Sequence, residues 1–155
     1  MSAPPSLPPV EDLLPHRDSM LLLDCVTDFG GESTTAQYTP RAAAWYADAQ
    51  GHMPAWIGIE LMAQTVAAHV GLVKRQQGAA PKQGVLLGTR SYRSTIPSFA
   101  ADQPLRIHVT MIFSDASGLG AYDCSIGRGD EPLATATLKV FEPDDFETFL
   151  QGSFS

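Results

Sequence analysis

The sequence predicts an α+β domain in which a curved antiparallel sheet of about six strands wraps one long buried helix. Three observations carry this. From Ala55 to about Gln77 the chain is helical in period and apolar on nearly every face, through Trp56, Ile57, Ile59, Leu61, Met62, Val66, Val70, Leu72 and Val73. Such a helix needs enclosure on most sides. Two strand-like segments precede it and four follow it, one of which (Leu105, Ile107, Val109, Met111, Phe113) alternates with Arg106, His108 and Thr110, the period-two pattern of a half-buried strand.

Taken in order, residues 1–12 read as a flexible Pro-rich arm, 13–142 as one domain and 143–155 as an acidic tail. Val10 to Leu14 suits a helical turn ending at Pro15, and Met20 to Phe29 reads as a largely buried strand. Asp28 to Glu32 is turn chemistry, and Ser33 to Thr39 returns as the second strand of a hairpin. Ala42 to Ala47 suits one or two helical turns. Pro54 suits the first position of the long helix, where its missing N–H costs nothing, and Gly78 suits its end. The remaining strands are placed at Val85 to Thr95, Leu105 to Phe113, Gly120 to Arg128 and Leu133 to Phe141, with Gly127 to Pro132 as an open hairpin turn.

A chain of 155 residues with 44% hydrophobic and 17% charged residues can build one well-buried domain. The first ten residues lack the basic start and apolar run of a signal peptide, and no run of ~18 apolar residues spans a bilayer. Cys25 and Cys124 both lie in strand-like runs without CxxC spacing, which reads as buried, reduced thiols and a cytoplasmic location. No metal-ligand spacing joins the cysteines to His16, His52, His69 and His108. The net charge of −7 argues against nucleic acid and anionic membrane as partners. Yet the stretch from Lys74 to Arg106 is net +5 and the rest of the chain −12. Lys74, Arg75, Lys82, Arg90 and Arg93 therefore form either solvated strand edges or a basic lip for an acidic partner or phosphorylated ligand.

The chemistry concentrates in Gly51 to Gln64, GHMPAWIGIELMAQ. A histidine in a Gly-His-x-Pro turn precedes an apolar helix whose start carries one carboxylate, Glu60. Loss of water from a 3-hydroxyacyl thioester needs a base at Cα and an acid at the departing hydroxyl. Neutral imidazole at His52 suits the first role. Glu60 suits the second when protonated, which burial among Trp56, Ile57, Ile59 and Leu61 favours. Backbone N–H groups at the helix start can polarise the thioester carbonyl. The plainer alternatives are a turn histidine bonded to backbone and a buried acid tied to a neighbour. Gln64, one turn beyond Glu60, either orients that carboxyl or packs at a subunit seam. Trp45 and Tyr46 line an acyl tunnel or pack in the core, His16 anchors the first strand, and His69 and His108 read as structural.

LLPHRDSMLLLDCV at Leu13–Val26 resembles the opening of the β-hydroxyacyl-acyl-carrier-protein dehydratases of fatty-acid synthesis. The GHMP turn resembles their histidine motif, IELMAQ their acidic helix segment, and LLGTRSYRSTIPSF one of their later strands. Nearly the whole chain is covered, and the likeness is greatest to the dehydratase-like proteins of aryl polyene pigment clusters. The resemblance implies a hot dog fold and paired subunits whose sheets run on continuously. It also implies a site that takes its histidine from one subunit and its acid from the other. His52 would be the base and Glu60 the acid, with Ala55, Trp56 and Gln64 at the substrate, and no cofactor. Acyl carrier protein and a second hot dog subunit, identical or not, are the implied partners. The turn departs from the family pattern: its loop is shorter, and Ala55 and Trp56 follow Pro54 where the family has a glycine. Three activities fit: a hydroxyacyl-carrier-protein dehydratase, a non-catalytic subunit that completes an active dehydratase, and a hot dog thioesterase using Glu60 to activate water. The last leaves the His-x-Pro turn without a task.

Overall fold

The computed structural model describes residues 7–14, 18–78 and 85–142. A short helix α1 (Val10–Leu13) leads through a 3-10 turn (Asp18–Met20) into the hairpin β1 (Cys25–Phe29) and β2 (Ser33–Tyr38). A two-residue strand β3 (Met53–Pro54) precedes the long helix α2 (Ile57–Gln76). After it come β4 (Val85–Ser94), the short β5 (Ser98–Phe99), β6 (Leu105–Ser114), β7 (Leu119–Arg128) and β8 (Glu131–Phe141). Six strands form one antiparallel sheet in the order β1-β2-β6-β7-β8-β4, and β3 pairs with β5 separately. Irregularities interrupt the ladder at Met111/Phe113, Arg90/Arg93 and Ile126/Gly127. Such bulges add twist and bend a strand, which lets one sheet curl around one helix.

The core is the inner face of this sheet against α2. Ile107, Val109, Ile126, Leu133 and Leu138 meet Ile57, Leu61, Met62 and Val66, all buried. α1 closes another side of the helix, with Val10 and Leu13 buried in the same core. A Cβ at Gly71 would stand 3.1 Å from the Leu13 carbonyl oxygen, so glycine there permits the close approach. Enclosure is incomplete. Ile59, Glu60, Ala63, Ala67 and Val70 form a half-buried strip at helical spacing along α2.

Several expectations are corrected. Only Cys25–Phe29 of the expected Met20–Phe29 strand is a strand. The N–H groups of Leu22 and Leu23 donate to the Gln64 side chain, a non-strand partner. Pro54 is not the first helical residue: it pairs with Ser98, and α2 begins at Ile57. Residues 42–47 make turns, not helix, because the backbone closes with bonds from Ala44 N–H to Arg41 O and from Ala47 N–H to Ala44 O. The hairpin after β7 is tight, with Arg128 opposite Glu131 and Gly129 at φ +58°. Cys124 is buried, but Cys25 is exposed because Val26, its neighbour on β1, takes the core-facing position. His16, Lys82 and the 143–155 tail lie outside the described residues.

Candidate active site

The turn carrying His52 is tied down from both ends. Asp48 Oδ1 accepts the backbone N–H groups of Gln50 and His52, each at 2.9 Å, and Asp48 N–H donates to His52 O at 2.9 Å. Gly51 sits at φ +75°, a conformation that favours glycine. Beyond it, Met53 and Phe99 are both fully buried and face each other across β3 and β5. The shortened loop is thus an ordered tight turn, braced by a two-strand ribbon of its own.

The start of α2 is held by β4. Ala55 N–H donates to Pro97 O at 3.0 Å, and the Tyr92 hydroxyl donates to Ala55 O. Burial pushes the Tyr92 phenol up to about 12, so it remains a donor at neutral pH. Gly58 makes room for that hydroxyl, since a Cβ at position 58 would lie 2.3 Å from it. Both backbone groups of Ala55 are therefore engaged within the chain. Gly58 N–H and Ile59 N–H bond back to Ala55 O and Trp56 O, so these two donors of the first turn are already used. Trp56 caps the helix without a side-chain hydrogen bond and leaves 64% of its surface exposed.

Glu60 lies in the first turn of α2, half-exposed rather than buried. Gln64 Nε2 donates to Glu60 Oε1 at 3.0 Å and to Met20 O at 2.7 Å. Its Oε1 accepts Leu22 N–H at 3.0 Å and Leu23 N–H at 3.4 Å. Gln64 itself is 0% exposed. It orients the carboxyl and also clamps the 20–23 segment to the helix. His52 and Glu60 stand at the same end of α2, His52 held through Asp48 and Glu60 through Gln64.

The basic residues do not converge. Lys74 pairs with Glu142 at 3.3 Å, at the far end of α2. Arg90 and Arg93 are exposed on β4, opposite Thr137 and Thr135 on β8. Thr135 to Glu142 spans roughly 23 Å of extended chain. Arg93, next to Tyr92, thus belongs to the His52 end and Lys74 and Arg75 to the other. The aromatic pair divides: Tyr46 is buried with its hydroxyl against that of Tyr38 at 2.5 Å, while Trp45 is exposed beside it. His108 bonds Thr35 and Thr110 on the outer sheet face. Among the described residues no three His, Cys, Asp or Glu side chains gather to hold a metal ion. The bracing roles of Asp48 and Tyr92 were missed in the sequence. Asp48, four residues before a histidine and beside a glycine turn, carried a weak signal, and Tyr92 carried none.

The model of the ApeP-like family, ApeP dehydratase, matches residues 8–151. The chain belongs to this family. Among solved structures it is similar to the dehydratase heterocomplex ApeI:P from Xenorhabdus doucetiae, with 27% identity and a TM-score of 0.87 over 94% of this chain and 98% of that one. AziG from S. sahachiroi shares 11% identity at a TM-score of 0.62, over 78% of this chain and 90% of that one. A hypothetical thioesterase from Streptococcus pneumoniae, with coenzyme A, shares 13% at 0.57, over 76% and 83%. These last two show the fold alone. No curated protein matches. The ApeP-like chain is a hot dog protein of a dehydratase family, as its helix-in-sheet architecture and family match agree. No helix among the described residues is long and apolar enough to cross a membrane.

Proposed function

We propose that this chain is a subunit of a 3-hydroxyacyl-carrier-protein dehydratase, and that its site is completed by a second hot dog subunit paired along the free edge of β4. The observation that carries this reading is that His52 and Glu60 lie at one end of α2, each held by bracing of its own, through Asp48 and through Gln64. β4 is the longer of the two free sheet edges, and its Tyr92 touches the turn that bears the site. A partner strand there brings its own turn and helix toward His52 and Glu60. Partner contact would also cover the half-exposed apolar strip of Ile59, Ala63, Ala67 and Val70.

In this reading His52 removes the Cα proton, with the thioester carbonyl taking up charge near the start of α2. The Cβ–O bond breaks, and Glu60 of the facing subunit gives its proton to the leaving hydroxyl, releasing water and the trans-2-enoyl thioester. Proton return from His52 to Glu60 resets the pair. Trp56 borders the entrance, and the carrier brings the acyl chain on its pantetheine arm. Fatty-acid-like or aryl polyene synthesis in the cytoplasm is the setting this activity fits.

A second reading is favoured by the heterocomplex of the similar ApeI:P structure: this chain supports an active, different subunit without turning over substrate. One experiment separates them. The chain, alone and with a co-purified hot dog partner, is assayed for crotonyl thioester hydration with wild type, His52→Asn and Glu60→Gln. Losses of roughly 10²-fold in the variants support the dyad. Full activity in both variants rejects it, and activity that depends on the partner but not on these residues selects the supporting role.

A further inference from the structure

Both backbone polar groups of His52 are held by one residue. Asp48 Oδ1 accepts the His52 N–H at 2.9 Å, and the Asp48 N–H donates to His52 O at 2.9 Å. The same residue closes the turn in between. Its Oδ1 also accepts the Gln50 N–H at 2.9 Å, and its carbonyl accepts the Gly51 N–H at 2.9 Å. Aspartate suits this task, because its short side chain carries only acceptors and reaches backbone N–H groups a few residues further on.

The neighbours leave this turn little room to shift. Gly51 stands at φ +75°, and a Cβ there would also lie 3.2 Å from the Ala42 Cβ. On the other side of His52, Met53 is fully buried and pairs with Phe99 across the β3–β5 ribbon. The Cα–Cβ bond of His52 is therefore aimed by an anchor on each side, Asp48 before it and Met53 after it. Met53 is fixed by core packing. Asp48 is only half-buried, and its side chain points its acceptor at the turn.

Magnitudes separate a role in the chemistry from a role in the fold. Water can replace the Oδ1 acceptor at a partly exposed turn, so its loss changes stability little. A base displaced by about 1 Å, by contrast, loses rate by roughly 10²-fold. We propose that Asp48 is the positioning residue of the site, setting the imidazole of His52 against the substrate Cα through the backbone of the turn. The proposal rests on the dehydratase reading above. It assigns the effect to the place of the acceptor oxygen and not to its charge.

The test is crotonyl thioester hydration by the full-length chain with its co-purified hot dog partner, comparing wild type with Asp48→Ala, Asp48→Asn and Asp48→Glu. Asn keeps an acceptor in place and removes the charge, whereas Glu keeps the charge and moves the acceptor by one methylene. Asp48→Ala and Asp48→Glu should each lower kcat roughly 10- to 100-fold with KM within about threefold of wild type, and Asp48→Asn should recover most of that rate. Because Asp48 acts through His52, adding Asp48→Ala to His52→Asn should lower the rate by less than about twofold more. The Asn and Glu variants keep the test standing if the Ala variant fails to fold. A loss as large in the His52→Asn background, a raised KM with kcat kept, or a Glu variant as active as the Asn variant overturns the proposal. Full activity of His52→Asn itself removes the dyad and this proposal with it. Activity that depends on His52 but ignores every change at Asp48 rejects the positioning role alone.

Discussion

Gln64 donates to Glu60 Oε1 at 3.0 Å from a position that is itself wholly buried, so the candidate carboxyl is oriented by a side chain the solvent never reaches. The same amide holds Met20, Leu22 and Leu23. A single residue thus couples the candidate site to the packing of the N-terminal segment.

Gln64→Met keeps the volume and removes the amide. It strands the Leu22 and Leu23 N–H groups and the Met20 carbonyl, and should cost roughly 2–4 kcal/mol in denaturant unfolding. Glu60→Gln still accepts from Gln64 Nε2 and should change stability by less than about 1 kcal/mol. Similar losses in both would show that the clamp on the 20–23 segment is not the main role of Gln64.

The contact between β4 and the helix start makes its own prediction. Gly58→Ala would normally stabilise a helix by about 1 kcal/mol. Here the new Cβ meets Tyr92 Oη at 2.3 Å and Ile126 Cδ1 at 3.0 Å, so it should instead destabilise by roughly 1–3 kcal/mol. Tyr92→Phe alone should cost about 1 kcal/mol, and the double variant should cost less than the sum, because the hydroxyl that clashes is gone. Strict additivity in a thermal unfolding cycle would refute the contact.

His69 sets a pH dependence. Its folded pKa lies below the ordinary 6.5 because of burial. The unfolded chain therefore binds a proton that the folded chain refuses as pH falls through that value. Its contribution is fully present above about pH 6.5 and is lost on acidification, at up to about 1.4 kcal/mol per pH unit. His69→Phe should be less acid-sensitive between pH 7 and 5 than wild type, with the carboxylates common to both. Parallel curves would mean the ring is charged in the fold.

Arg93 lies at the His52 end of β4 and Arg90 nearer its middle, opposite Thr137, whereas Lys74 is engaged with Glu142 at the other end. If a carrier docks beside the site, reversing both arginines to Glu should weaken use of carrier-linked substrate far more than use of a short thioester. The difference should shrink with added salt. Lys74→Glu should leave that ratio unchanged. Equal losses on both substrates would assign Arg90 and Arg93 to the fold.

Apolar runs and repeating apolar spacing marked α2 and, to within a few residues, the six main strands, because burial of a strand face or of most of a helix leaves a mark on the chain. The local spacing of Gly51 to Gln64 likewise marked His52 and Glu60, and put Gln64 one turn beyond Glu60 on the same helix face. What the tertiary structure decided are contacts between residues far apart in sequence, which leave no periodic trace. Met20–Leu23 looked like strand because it is apolar, but Met20, Leu22 and Leu23 bond through their backbone to a glutamine 41 to 44 residues away. Pro54 looked like a helix start, yet the approach of β5 drew it into a strand pair. Tyr92 became part of the site, and Lys74 left the basic group, only when a sheet curled around one helix set which ends of the chain meet.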